Sequence, residues 1–304
     1  MALINSDIRL TGMVGAVRRP AVAGSFYPAD RDVLGETLQT LLDQVRPASQ
    51  AAPKVLIAPH AGYIYSGPVA ASAYALLRPQ AERIRRVILL GPAHRVSLRG
   101  LAVPSVDCFR TPLGDIPLDR TAINTLADLP QVQVSDAAHG QEHSLEVHLP
   151  FLQILLPEFS LVPLVVGRVP PTAVAEVLER LWGGPETLIV ISTDLSHYHD
   201  YGTAQRLDAE TCTAIEAFRY EDIGPEQACG CMPMAGLLHL ARQRGMHIQR
   251  LDVRNSGDTA GGRDRVVGYA AFALRSENES SGNYDRNLLL GLARDSISQG
   301  LRTG

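Results

Sequence analysis

The feature that most constrains the fold is an alternation along the chain: short apolar runs rich in β-branched residues recur, separated by longer stretches of helical period. A chain patterned this way folds as a mostly parallel sheet covered by helices, because each return to a parallel neighbour needs a crossover long enough to hold one. The expected strands are residues 54–58 (KVLIA), 86–90 (RVILL), 161–166 (LVPLVV), 187–192 (TLIVIS) and 266–274 (VVGYAAFAL), with weaker ones around Val103, Val132 and Val253. Helices are expected over 32–45, 68–77, 120–129, 144–155, 172–181, 204–218 and 234–244. The fold class is therefore α/β, with a mostly parallel or mixed central sheet flanked by helices.

Composition narrows the function. With 45% hydrophobic and 20% charged residues the 304-residue chain is ordinary globular protein, and its formal charge of −4 argues against nucleic acid or an anionic membrane as the main partner. No run of about 18 apolar residues is present, so no membrane span is expected. The N-terminal MALINSDIRLTGMVGAVRRP lacks the basic, apolar and small-residue order of a secretory signal. Four scattered cysteines (Cys108, Cys212, Cys229, Cys231) suit a reducing compartment better than a disulfide framework, and the expected location is cytoplasmic. Residues 1–275 are expected to form one α/β domain. PASQAAP (47–53) reads as an internal linker and SENESSG (276–282) as a polar break before an appended amphipathic helix that runs towards residue 304.

Chemistry concentrates at strand ends. Three expected strands run into a histidine within a few residues: His60 in IAPH, His94 in LGPAH and His197 in ISTDLSH. In a parallel sheet these ends share the carboxyl edge, where open α/β sheets bind ligands. A single histidine there would read as a turn or core residue. Three in parallel positions point to a metal or catalytic site, since neutral imidazole is the commonest protein metal ligand.

Cys229 offers a further ligand, placed before a helix whose first turn would hold Pro233. Cys229 or Cys231 as small buried hydrophobes is an equal alternative, because one Cys-x-Cys without a second pair is no zinc-finger signal. Asp194, three residues before His197, can orient an imidazole or cap the next turn.

His139, His143 and His148 crowd HGQEHSLEVHLPF with Glu142 and Glu146, but the order is not that of a zinc protease helix. On a helix His139 and His143 would share a face. Glu142 and His143 are candidates for supporting the ligands, and Tyr63 for lining the pocket beside His60; a solvated helix start and a packing tyrosine are the plainer readings. NSGDTAGGRD (255–264) has no phosphate-loop spacing and reads as a plain loop.

An ordered set of motifs carries a resemblance. AGSFYP (23–28), APHAGYIYSGPVAA (58–71), GPAHR (91–95), TPLGDIPLD (111–119), EHSLEVHLPFLQ (142–153), STDLSHY (192–198) and NSGDTAG (255–261) resemble the Memo family, known in prokaryotes as AmmeMemoRadiSam system protein B. The resemblance implies a fold similar to class III extradiol dioxygenases, which are non-haem iron enzymes. It also implies a metal set of His60, His94 and Cys229, with Asp194 and His197 as catalytic residues beside it. A thiolate in place of the carboxylate ligand of those dioxygenases shifts preference towards softer metals, so iron or copper is expected and zinc is allowed. The implied function is redox or dioxygenase-like; the alternatives are a zinc hydrolase and a non-catalytic binding protein with an inherited pocket. The implied partners are a small molecule or peptide in that pocket, system protein A and a radical S-adenosylmethionine protein. LLLGLARDSISQGL near the C-terminus is similar to the first helix of a system protein A domain.

Overall fold

A computed structural model describes residues 15–45 and 52–276. Residues 277–304, on which the expected appended helix falls, and most of the expected 47–53 linker lie outside the described residues. The strands are β1 (Val17–Arg18), β2 (Val55–Ala58), β3 (Arg86–Pro92), β4 (Leu101–Val103), β5 (Cys108–Thr111), β6 (Gly114–Pro117), β7 (Val132–Val134), β8 (Ser160–Val166), β9 (Thr187–Ser192), β10 (His197–His199), β11 (Met246–Asn255) and β12 (Val266–Ser276). The helices are α1 (Arg31–Asp43), α2 (Tyr63–Tyr74), α3 (Arg120–Asn124), α4 (Asp136–Gly140), α5 (Leu149–Leu155), α6 (Pro171–Leu181), α7 (Tyr201–Glu216) and α8 (Cys231–Gln243), joined in places by short 3-10 turns.

β2, β9, β3 and β8 lie side by side in that order, all parallel. Every residue of β2 and β9 is buried, as a sheet covered on both faces requires, which is why these segments read as unbroken apolar runs. The flanks make the sheet mixed. β12 runs antiparallel to β2 and carries β11, while β4 runs antiparallel to β8 and carries β7. β10 pairs with the first residues of β12, His197 opposite Val267, beyond the carboxyl end of β2.

The covering helices show the expected period. α1 buries Leu34, Leu38 and Leu42, one turn apart, and starts where the Asp30 side chain accepts from the amides of Asp32 and Val33. α6 buries Val174, Val177, Leu178 and Leu181 on one face. Each such buried leucine or valine contributes about 1.5–3 kcal/mol relative to an exposed one.

Several details depart from the expectation, among them the helix expected over 120–129, which is only α3 (Arg120–Asn124). The helix expected from residue 68 begins at Tyr63, so Pro68 lies inside α2. The single helix expected over 144–155 is a 3-10 turn (Glu146–His148) followed by α5, where Pro150, with no amide to donate, sits in the first turn that suits it best. β1, β5 and β6 form a separate three-stranded sheet that the sequence did not announce.

Candidate metal centre

His60 follows β2, His94 follows β3 and Asp194 follows β9, each two residues past the last strand residue. Since β9 lies between β2 and β3, the three turns meet at one edge. Cys229 comes from far along the chain, in the turn ahead of α8. Its amide donates to the Asp194 carbonyl (3.3 Å), and the next amide, of Gly230, donates to the Thr193 hydroxyl (2.9 Å). Glycine is needed there: a Cβ on residue 230 would stand 2.4 Å from the Ser192 carbonyl oxygen and 2.5 Å from the Thr193 Cβ.

These turns bring ligand atoms of His60, His94 and Cys229 within 4.8 Å of one another. His60 Nε2 lies 3.4 Å from Cys229 Sγ. A tetrahedral centre with bonds of about 2.1 Å to nitrogen and 2.3 Å to sulfur separates such a pair by about 3.6 Å, so the spacing fits a shared ion. The rings of His60 and His94 stand 5.2 Å apart at 66°. His60 is buried at 2% exposure, whereas the His94 side chain is 28% exposed, so the site opens to solvent on the His94 side.

Glu142 holds His94 in place. Its Oε2 accepts from the His94 amide (2.6 Å), and its Oε1 accepts from His94 Nδ1 (3.0 Å) and the amides of His143 and Ser144 (2.9 Å each). A carboxylate can only accept, so Nδ1 of the neutral ring carries the proton and Nε2 keeps its lone pair. Burial alone would raise the Glu142 pKa, but hydrogen bonds from His94 and the Ser144 amide hold it down at about 2.

The other ionisable groups are set by burial. It pushes the Asp194 carboxyl up to about 6, against the hydrogen bond its Oδ1 accepts from the His60 amide (2.8 Å). Burial and the neighbouring Asp194 push the Cys229 thiol up, although the sulfur accepts from the Asp194 amide at 3.2 Å. A helix N-terminus that favours thiolate is thus outweighed by desolvation in the metal-free protein. Burial, reinforced by the imidazoles of His94, His143, His148 and His197, keeps His60 neutral.

The remaining expectations resolve individually. His197 does not sit in the turn after β9 but opens β10, near enough to influence both His60 and Asp194. His143 lies past the end of α4 and shares no helix face with His139; its ring stacks on His94 at 4.7 Å and meets His60 edge-on at 5.4 Å. Tyr63 is a packing residue, its ring against Phe151 and Tyr27 and its hydroxyl donating to the Val147 carbonyl (2.7 Å). Residues 255–258 form a capped turn, Asn255 and Asp258 bonding each other's backbone. Cys231 is the first residue of α8 and is buried.

Sequence reasoning passed over Glu146, which is fully buried. It pairs with Arg18 and accepts from the Tyr27 hydroxyl (2.6 Å) and the amides of Ala21 (2.8 Å) and Val22 (3.0 Å), pinning the first described segment beside the site. Its only sequence signal was an acidic residue flanked by apolar ones.

An α/β sheet whose carboxyl edge gathers two imidazoles and a thiol defines a class of proteins with a side-chain group that could hold a metal ion. The comparisons make the assignment narrower. A family model described as Memo-like protein matches residues 18–273. The chain is 36% identical over 265 residues to a MEMO1 family protein of Aquifex aeolicus, covering 83% of this chain and 97% of the relative. It is 34% identical over 270 residues to one of Archaeoglobus fulgidus (85% and 100%) and 35% identical over 278 residues to one of Thermotoga maritima (84% and 99%). The chain belongs to the Memo family. Among the described residues no helix is long and apolar enough to cross a membrane.

Proposed function

We infer that this protein is a metal-dependent redox protein that holds iron or copper through His60, His94 and Cys229 and acts on a small molecule entering from the His94 side. The reading rests on one observation: ligand atoms of three residues from three separate segments lie within 4.8 Å of one another, beside a buried carboxyl. Imidazole and thiolate together suit late transition metals, and three protein ligands leave positions open for substrate. Bound there, the metal would supply one-electron or oxygen chemistry. Asp194 orients the His60 backbone through its Oδ1, and its buried carboxyl is placed to carry a proton beside the site. His197, beside Asp194, would take or give the substrate proton.

Metal analysis of protein purified without oxygen, repeated on His60→Ala and Cys229→Ala, tests the reading. Stoichiometric iron or copper, lost in both variants, is expected. Zinc in the same site would redirect the assignment to a hydrolase using metal-activated water. A site empty in the wild type and indifferent to both changes would leave a binding protein and refute the redox reading.

A further inference from the structure

Two histidines that follow different strands must each leave one ring nitrogen bare to bind a metal, and the other nitrogen of each is engaged by one short segment, directly for His94 and through Ser192 for His60. Glu142 engages His94 Nδ1 directly, as described. On the other side, His60 Nδ1 lies 2.5 Å from Ser192 Oγ, and Ser192 Oγ lies 2.6 Å from the carbonyl oxygen of Ser144. A carbonyl has no proton to give, so the single hydroxyl proton of Ser192 goes to Ser144. The hydroxyl therefore receives from His60, whose proton must sit on Nδ1. Nε2 is left with its lone pair, 3.4 Å from Cys229 Sγ.

Ser144 is itself fixed. Its amide donates to Glu142 Oε1 (2.9 Å) and its hydroxyl donates to the carbonyl of Pro92 (2.9 Å), two residues ahead of His94. The approach requires glycine at position 91, where a Cβ would stand 2.7 Å from Ser144 Oγ and 2.9 Å from the Leu145 side chain. Ser144 and Ser192 are both fully buried, so no water competes for these bonds.

We propose that residues 142–144 form a single clamp that sets both histidines in the tautomer with Nε2 free, directly for His94 and through Ser192 for His60. Ser192 is a positioning residue, acting through the His60 ring. One arm of the clamp is anionic and the other neutral, so His60 is oriented without adding a second negative charge beside Asp194. The proposal rests on the metal-site reading for its purpose but not for its structure, because the tautomers exist in the metal-free protein.

The test is a long-range proton–nitrogen spectrum of metal-free protein carrying nitrogen-15 histidine, which distinguishes the two tautomers. His60 is expected protonated at Nδ1 in the wild type and not held there in Ser192→Ala, with metal affinity in that variant reduced about 10- to 100-fold. Gly91→Ala, which displaces Ser144, is expected to disturb His60 and His94 together. His60 protonated at Nε2 in the wild type would overturn the proposal, whatever the variants do. So would unchanged tautomer and affinity in Ser192→Ala. Wild-type protein with the expected tautomers that binds no metal would sink the functional reading and leave the clamp standing.

Discussion

Glu142→Gln is the most informative single change away from the ligands, because four hydrogen bonds converge on this carboxylate. An amide of the same shape keeps one acceptor oxygen and places an NH2 where the other was. Turned one way, the NH2 faces the His94 amide; turned the other, it faces His94 Nδ1 and two amides. Either way buried donors oppose each other. A carboxyl brought from the ordinary 4.5 to about 2 in the folded state contributes about 3 kcal/mol of stability when fully ionised. Glu142 is only 2% exposed, so solvent screening does not discount that figure. The depressed pKa gives the sign: the stabilisation is complete above about pH 4.5 and is lost as pH falls towards about 2. Urea unfolding of wild type and Glu142→Gln should therefore differ by about 3 kcal/mol at pH 7, with the gap narrowing through pH 4 and 3. A difference below about 0.5 kcal/mol at pH 7, or a gap that does not close in acid, would refute the reasoning that charge-assisted bonds hold this segment.

Glu146→Gln leaves Arg18 buried without its anion, and urea unfolding should show a loss of about 3–5 kcal/mol; a loss under about 1 kcal/mol would show the pair to be dispensable. Gly230→Ala drives a Cβ into the end of β9, at a cost of about 1–3 kcal/mol, and should weaken metal binding by displacing Cys229; unchanged stability and affinity would contradict the close approach described. Because burial pushes the Cys229 thiol up, the free sulfur is protonated at neutral pH and must release its proton to the buffer when it ligates a metal. Calorimetric titrations in buffers of different ionisation enthalpy should register that proton, and its absence, with the same result in Cys229→Ser, would mean that sulfur is not a ligand.

The middle of the sheet was legible because β2, β3, β8 and β9 are buried on both faces, which leaves a run of apolar residues that no other element requires. His60 and His94 were legible for the same reason: once the strands are parallel, the residues after them share an edge. The small sheet was not, since β1 is two residues held by a partner some ninety residues away, and the β5–β6 hairpin is short and includes a glycine and a proline. The 142–148 segment misled for a different reason. Its spacing mimics a helix, but Glu142, Glu146 and His148 point at partners on three other segments, and such long-range hydrogen bonds leave no period behind. Cys229 stood undecided in the sequence, because a buried thiol and a ligand thiol have the same neighbours along the chain. Ser192 was invisible, because the role proposed for it depends on which neighbour its one hydroxyl proton faces.

X-ray absorption at the edge of the bound metal tests the central claim most directly, because it reports the atoms in the coordination shell. On wild-type protein loaded without oxygen, one sulfur and two imidazole nitrogens are predicted, with the sulfur absent in Cys229→Ser and one imidazole absent in His60→Ala. A full-occupancy spectrum containing no sulfur, or one unchanged by both substitutions, would contradict the account.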